Sequence, residues 1–137
     1  MDTFKPRLVG DLPEGWLAKE SITFLAPDGH SNVIASSEPL DPVVDSKTYA
    51  DAQGEALGKE FPGYQEISLG TDKVFGGYEG YVRKFHWTPP EGSPVTQIQL
   101  YYVEDGRGYT ATATTSWPSP PEHERELARI LDALRLE

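Results

Sequence analysis

The alternation of apolar and polar residues is clearest between Val95 and Ser116, where it predicts two strands joined at the tight turn Asp105-Gly106. Alternate residues of a strand point to opposite faces, and Asp-Gly supplies the positive φ angles that a short hairpin turn needs. The first strand carries apolar residues on both faces, together with two glutamines. We therefore expect the protein's own helices to cover one sheet face and a partner to cover the other. The second strand alternates between two sets: Tyr109, Ala111, Ala113 and Thr115 against Thr110, Thr112, Thr114 and Ser116.

Two segments have helical spacing. The first is predicted over Lys47–Phe61 with Ser46 as its N-cap, and it ends because proline and glycine follow at once. Gly54 and Gly58 lie within it, which we interpret as tight packing against the sheet. The second helix is predicted over Pro121–Leu134, and its apolar stripe is typical of a helix that packs on a sheet. That stripe consists of Leu127, Ile130, Leu131 and Leu134.

The remaining apolar runs are short and separated by turn residues, which favours strands. Runs of antiparallel strands with helices between and after them indicate an α+β fold rather than alternating parallel units. We therefore predict a single domain over residues 1–137 with an antiparallel sheet of about five to seven strands packed against two helices. The other predicted strands are an edge strand at Leu8–Asp11, then Ser21–Ala26, Asn32–Ser37, Tyr64–Leu69 and Gly77–Trp87, with a turn at Gly70–Asp72.

The charge of the chain limits its partners. Its 137 residues include 22 acidic and 12 basic ones, a formal net charge of −10. Such a surface repels phosphate backbones, and the sequence contains no basic patch, so we expect no nucleic-acid partner. The negative charge serves either solubility or the choice of a basic partner.

The sequence gives no sign of export or membrane insertion. It contains no cysteine, which excludes disulfides, thiolate metal sites and a lipidated N-terminal cysteine. Residues 1–6 have neither a basic nor an apolar signal-peptide region, and no apolar run approaches the roughly 20 residues needed to span a bilayer. We therefore expect a cytoplasmic protein without stable membrane insertion.

Candidate catalytic groups are sparse. His123 and Glu124 resemble half of a zinc-protease motif, but Leu127 occupies the place of the second histidine. The glycine-rich segments lead into strands rather than helices, so they lack the helix N-terminus that binds phosphate. We expect no catalytic residues, no metal and no cofactor, and we rank an enzyme last among the classes considered.

The order of short motifs along the chain resembles the DcrB-like family, whose fold is PsbP-like: a curved antiparallel sheet with helices against it. The resemblance covers about residues 8–136. Each motif is weak alone, and their order and spacing carry the match. They are Leu12-Pro13-x-Gly15-Trp16, Ser21-Ile22-Thr23-Phe24, Phe61-Pro62-Gly63-Tyr64, Gly77-Tyr78-x-Gly80-Tyr81, Gln97-x-Gln99-Leu100-Tyr101 and Asp105-Gly106-Arg107-x-Tyr109, followed by a leucine-rich helix.

Among members of this family without a signal sequence, the chain most resembles the Eag-type chaperones of type VI secretion. These are homodimers that hold the N-terminal transmembrane helices of bacterial effectors in a hydrophobic groove. By this resemblance the groove of the present chain consists of Ile22, Phe24, Ile34, Gln53 and Gln99. Their chemistry suits the role, because aliphatic groups shelter apolar side chains and glutamine amides offer hydrogen bonds.

Two other interpretations of these observations remain open. The five residues could be ordinary core and sheet-surface groups. The protein could also be a small acidic binding or immunity-type protein that neutralises a basic soluble partner and has no need of a transmembrane segment.

Overall fold

Six strands form one curved antiparallel sheet in the computed structural model, which describes residues 2–137. The strand order across the sheet is β1-β2-β6-β5-β4-β3. This confirms the predicted α+β class and antiparallel sheet. The elements are β1 (Glu20–Leu25), β2 (Asn32–Pro39), α1 (Ser46–Glu60), β3 (Gln65–Val74), β4 (Tyr78–Trp87), β5 (Val95–Glu104), β6 (Arg107–Ser116) and α2 (Pro121–Ala133).

The central hairpin confirms the strongest sequence pattern. Strands β5 and β6 pair along their whole length, and Asp105 and Gly106 between them have φ angles of 50° and 71°. Two consecutive positive φ angles match the right-handed twist of the strands on either side of a two-residue turn.

Two sequence predictions of local structure are wrong. Residues Leu8–Asp11 form no strand and are exposed. Strand β3 runs through the predicted turn at Gly70–Asp72 and ends at Val74. The chain instead reverses at Phe75, Gly76 and Gly77, which all have positive φ angles. Two glycines in a row accept this conformation without strain, whereas Gly70 alone does not interrupt a strand that pairs with β4.

Both predicted helices are present, with a different cap on the first. The Asp45 carboxylate, not Ser46, accepts a hydrogen bond from the backbone N–H of Thr48 at 2.8 Å. The Ser46 hydroxyl instead accepts from the backbone N–H of Val103 at 2.9 Å and so ties the start of α1 to β5. Accepting the Thr48 hydrogen bond lowers the pKa of Asp45 below its ordinary value, because the bond favours the carboxylate.

The two helices lie on opposite faces of the sheet. Leu127 and Leu131 of α2 pack in a core that includes Leu100 of β5. Tyr49 of α1 packs with the next residue of that strand, Tyr101. Since neighbouring strand residues point to opposite faces, the expectation that the helices cover one face and leave the other to a partner was wrong.

Each helix covers only part of its face. Helix α1 packs against β4 and β5, whereas α2 packs against β6 and β2. Each sheet face therefore keeps a part without a helix. Within residues 2–137, neither helix has the length and hydrophobicity needed to cross a membrane.

Candidate functional site

Ile34, Thr112 and Gln99 lie side by side in a row across three strands. Ile34 of β2 is opposite Thr112 of β6, and Thr112 is in turn opposite Gln99 of β5. Residues directly opposite each other share a sheet face, so all three point to the α1 side. Ile34 is 39% exposed, and the other two are half-buried. We call the part of this side that runs from the edge of α1 to β1 the open face; its residues are Thr23, Leu25, Ile34, Gln97, Gln99, Thr112 and Thr114.

Gln53 lies at the border of the open face, on α1. It is half-buried and stands three residues after buried Ala50 and four before buried Leu57, on the side of the helix that faces the sheet. The structure therefore places Ile34, Gln53 and Gln99 on the same side of the sheet.

Ile22 and Phe24 lie on the opposite face. Ile22 is opposite Ala35 and Phe24 is opposite Val33, and Val33 belongs to the core beneath α2. Because Ile34 pairs with Thr23, its side chain points away from both. The prediction that all five residues line one groove is therefore corrected: the sheet separates them into two sets.

Ile22 and Phe24 instead line a second groove, between the outer strands and the end of α2. Its volume is about 1000 Å³. The N-terminal segment contributes Phe4, whose ring meets the ring of Phe24 edge-on with 6.0 Å between centroids. The apolar lining residues include Phe4, Ile22, Phe24, Tyr109, Ile130 and Leu134.

The glutamines of the open face are held by two hydrogen-bond relays that run across β4, β5 and β6. In the Trp87 relay, the Trp87 indole N–H donates to Gln97 Oε1 at 3.0 Å. Gln97 Nε2 then donates to Thr114 Oγ1 at 2.7 Å.

The Arg83 relay runs parallel to the Trp87 relay and begins in the core. Arg83 Nη1 donates to the Tyr101 hydroxyl at 2.9 Å, and that hydroxyl donates to Gln99 Oε1. Gln99 Nε2 donates to Thr112 Oγ1 at 3.2 Å. Burial raises the pKa of Tyr101 to about 12, so this hydroxyl keeps its proton at neutral pH.

Arg83 is buried beneath α1, with its side chain 3% exposed. Its guanidinium donates to Glu66 Oε1 at 2.8 Å and to the backbone carbonyl of Ala50 at 3.0 Å. Sequence reasoning missed this residue. One signal was present: Arg83 alternates in β4 with Tyr81, Phe85 and Trp87, so a charged residue stood in an otherwise aromatic row.

The described residues, 2–137, contain no cluster of metal-binding side chains. No group of three or more histidine, aspartate or glutamate side chains there could hold a metal ion. Leu127 occupies the place of the second histidine of a zinc-protease motif. It is 3% exposed and packs in the core between α2 and the sheet. The residues of the open face can bind another molecule through apolar packing and hydrogen bonds.

Comparison with known proteins shows likeness in fold. No model of a protein family and no curated protein matches the chain. A solved structure of a protein of unknown function, PA94 from Pseudomonas aeruginosa, is 18% identical, with a TM-score of 0.77 over 92% of this chain and 89% of that one. LpqN, involved in cell envelope biogenesis of Mycobacterium tuberculosis, is 16% identical, with a TM-score of 0.56 over 82% of this chain and 67% of that one. At these identities the shared property is the α+β fold.

Proposed function

We propose that this protein is a non-catalytic chaperone that shelters a hydrophobic N-terminal helix of a secreted bacterial effector on its open face. The partner is the one implied by the resemblance of the sequence to the Eag-type chaperones. The observation that carries the proposal is the row of Ile34, Thr112 and Gln99, which extends from β5, beside α1, across β6 to β2.

The polar groups of the open face favour an apolar cover. Gln97, Gln99, Thr112 and Thr114 already bond to one another or to neighbouring side chains. Covering a polar group that keeps a hydrogen-bond partner avoids the desolvation penalty of about 1–3 kcal/mol that an unpaired group incurs.

The apolar contribution comes mainly from the side of β1 and β2. Ile34 is 39% exposed and Leu25, on the same face, is 76% exposed. Full burial of a large aliphatic side chain contributes about 1.5–3 kcal/mol. Leu25 and Ile34 make one side of this surface apolar. The glutamines of β5 and the threonines of β6 make the other side able to form hydrogen bonds.

The chaperone acts in the cytoplasm as a homodimer, with a protein partner and without nucleic acid. A dimer would cover apolar surface that the single chain leaves exposed, including Trp16 at 68% and Leu17 at 76% in the segment before β1. Analytical ultracentrifugation at micromolar concentration measures this directly. A monomer there contradicts the dimer and leaves the open face unaffected.

Co-expression with a tagged effector segment carrying an N-terminal apolar helix tests the function. Ile34→Asp places a charge on the open face, and we expect it to abolish co-purification. Its matched control is Ile67→Asp, at an isoleucine of β3 that is 47% exposed, and we expect this variant to retain the segment. Equal retention by both variants contradicts the proposed site.

A stability measurement separates a lost site from a lost fold. Ile34→Asp should shift the free energy of unfolding by less than about 0.5 kcal/mol, the usual range for a surface change. Leu131→Asp should unfold the domain, because Leu131 is 5% exposed in the core and its charge would have no partner. If Ile34→Asp melts like Leu131→Asp, residue 34 is part of the core and the proposed site is wrong.

A further inference from the structure

The segment before β1 carries apolar side chains that its own chain does not cover. We call residues 6–17 the arm. Leu8 is 101% exposed, Val9 is 95% exposed and Leu17 is 76% exposed, and Leu12 and Trp16 are more than half exposed. Single exposed apolar residues are common on protein surfaces, whereas a cluster of this size marks an interaction site.

Both ends of the arm are attached to the domain. Before the arm, the Phe4 ring lies edge-on against the ring of Phe24 on β1. After the arm, the backbone carbonyl of Ala18 accepts a hydrogen bond from Arg107 Nη2 of β6 at 2.6 Å. The arm is therefore a loop held at two places, and its apolar side chains project from the domain between them.

The second groove lies where the arm is attached, because Phe4 is one of its lining residues. Its apolar walls are not filled: Ile22, Phe24, Ile130 and Leu134 are each only half-buried, and Phe4 itself is 63% exposed. One chain thus has an apolar projection and an apolar depression side by side. A two-fold axis beside them would place each arm over the groove of the other copy, since the same two surfaces meet twice in such a dimer.

The exposed area of the arm suits a stable dimer. Its five apolar side chains offer about 400 Å², judged from the area that such residues bury when they are covered. Two arms, with the surfaces that they cover on the other copy, would bury about 1,600 Å², the usual size of a specific protein interface. The reach is also sufficient, because the extended chain from Leu8 to the anchored Ala18 spans about 35 Å.

We propose that two copies of this chain exchange their arms, so that residues 8–17 of each copy pack in the second groove of the other. The occupant of the second groove is a second copy, and neither groove is complete without the arm of its partner. This inference rests on the homodimer of the proposed function and specifies its contact surface. The exchange leaves the open face available to the effector helix, because the second groove lies on the other face of the sheet.

Disulfide crosslinking between two single-cysteine variants tests the exchange. The chain has no cysteine, so a mixture of Leu12→Cys and Ala133→Cys forms a mixed disulfide only between two copies. Ala133 lines the second groove, whereas Ala128 of the same helix is exposed and lies outside the groove. A purification tag on one variant distinguishes the mixed product by mass. We expect Leu12→Cys to react with Ala133→Cys about tenfold faster than with Ala128→Cys, because proximity raises the effective thiol concentration.

Two equally exposed leucines separate the arm from the open face. Leu17 in the arm and Leu25 on the open face are both 76% exposed, so an aspartate at either place should leave the fold intact. Leu17→Asp should weaken the dimer about a hundredfold or more, since the interface loses this side chain twice. Leu25→Asp should leave the dimer unchanged. Sedimentation velocity over a series of concentrations gives the dissociation constant of each variant.

The outcomes distinguish this inference from the proposed function. Crosslinking to Ala128→Cys that is as fast as crosslinking to Ala133→Cys overturns the exchange, and so does a Leu17→Asp dimer of unchanged affinity. A wild-type protein that is monomeric at micromolar concentration overturns both the homodimer and the exchange. If the crosslinks form as expected and the wild type does not retain the effector helix, the exchange stands and the chaperone function is overturned.

Discussion

The guanidinium of Arg83 lies against Gly54 of α1, so close that a Cβ atom at residue 54 would come within 2.3 Å of Arg83 Nη2. Gly58, one turn further along the same helix, has no atom within 4 Å of the place where its Cβ would be. The sequence analysis interpreted both glycines as tight packing. Only Gly54 has that role, and it allows α1 to lie directly over the buried arginine.

Alanine substitutions at the two glycines should therefore have opposite effects. Gly58→Ala should raise the melting temperature by about 3 °C, because alanine is favoured over glycine in a helix by about 1 kcal/mol. Gly54→Ala gains the same propensity but must displace a guanidinium held by three hydrogen-bond partners, so we expect a lower melting temperature. Differential scanning calorimetry of the pair measures both shifts. A stabilised Gly54→Ala protein would show that Arg83 moves freely.

Arg83 should matter more for stability than its ion-pair partner. Arg83→Met leaves the Ala50 carbonyl and the Tyr101 hydroxyl without their donor, and we expect a loss of about 2–3 kcal/mol in the free energy of unfolding. Glu66 is 42% exposed, so Glu66→Gln should cost less than about 1 kcal/mol. Urea unfolding of the two variants gives the comparison. Equal losses would mean that the ion pair, rather than the buried hydrogen bonds, holds the guanidinium.

The stability of the protein should fall at high pH because of Tyr101. Burial raises its pKa to about 12 from an ordinary value of 10.0, although Arg83 opposes the shift. The folded state therefore favours the protonated phenol. This contribution is fully present below about pH 10 and is lost as the pH rises toward 12.

The variant Tyr101→Phe isolates this effect. It should be less stable at neutral pH, because Arg83 loses a partner, and its stability should fall less steeply between pH 10 and 12. Some alkaline loss should remain, since burial also raises the pKa of Tyr64 to about 12. Free energies of unfolding measured in urea at several pH values provide the test. Parallel pH profiles for the wild type and the variant would contradict the assignment to Tyr101.

Local patterns were sufficient to predict most of the fold. Alternation located the β5–β6 hairpin, and the leucine stripe located α2, because both are properties of residues close in sequence. The sheet face that each site residue occupies depends on how strands pair, which local patterns do not determine. Ile22 and Ile34 lie on different faces because β1 and β2 pair with Ile34 opposite Thr23, and a shift of one residue would reverse this. The hydrogen-bond partners of buried Arg83 were not local either, since they come from α1, β3 and β5.

The central claim is that the open face holds an apolar helix, and disulfide trapping tests it most directly. The chain has no cysteine, so one introduced thiol reports a single place on the surface. A peptide of about 20 apolar residues, the length of a membrane-spanning helix, with one central cysteine is the probe. We expect rapid crosslinking to Thr112→Cys in the row of Ile34 and Gln99, and little to Ile67→Cys on β3. Equal or faster crosslinking at residue 67 would contradict the claim.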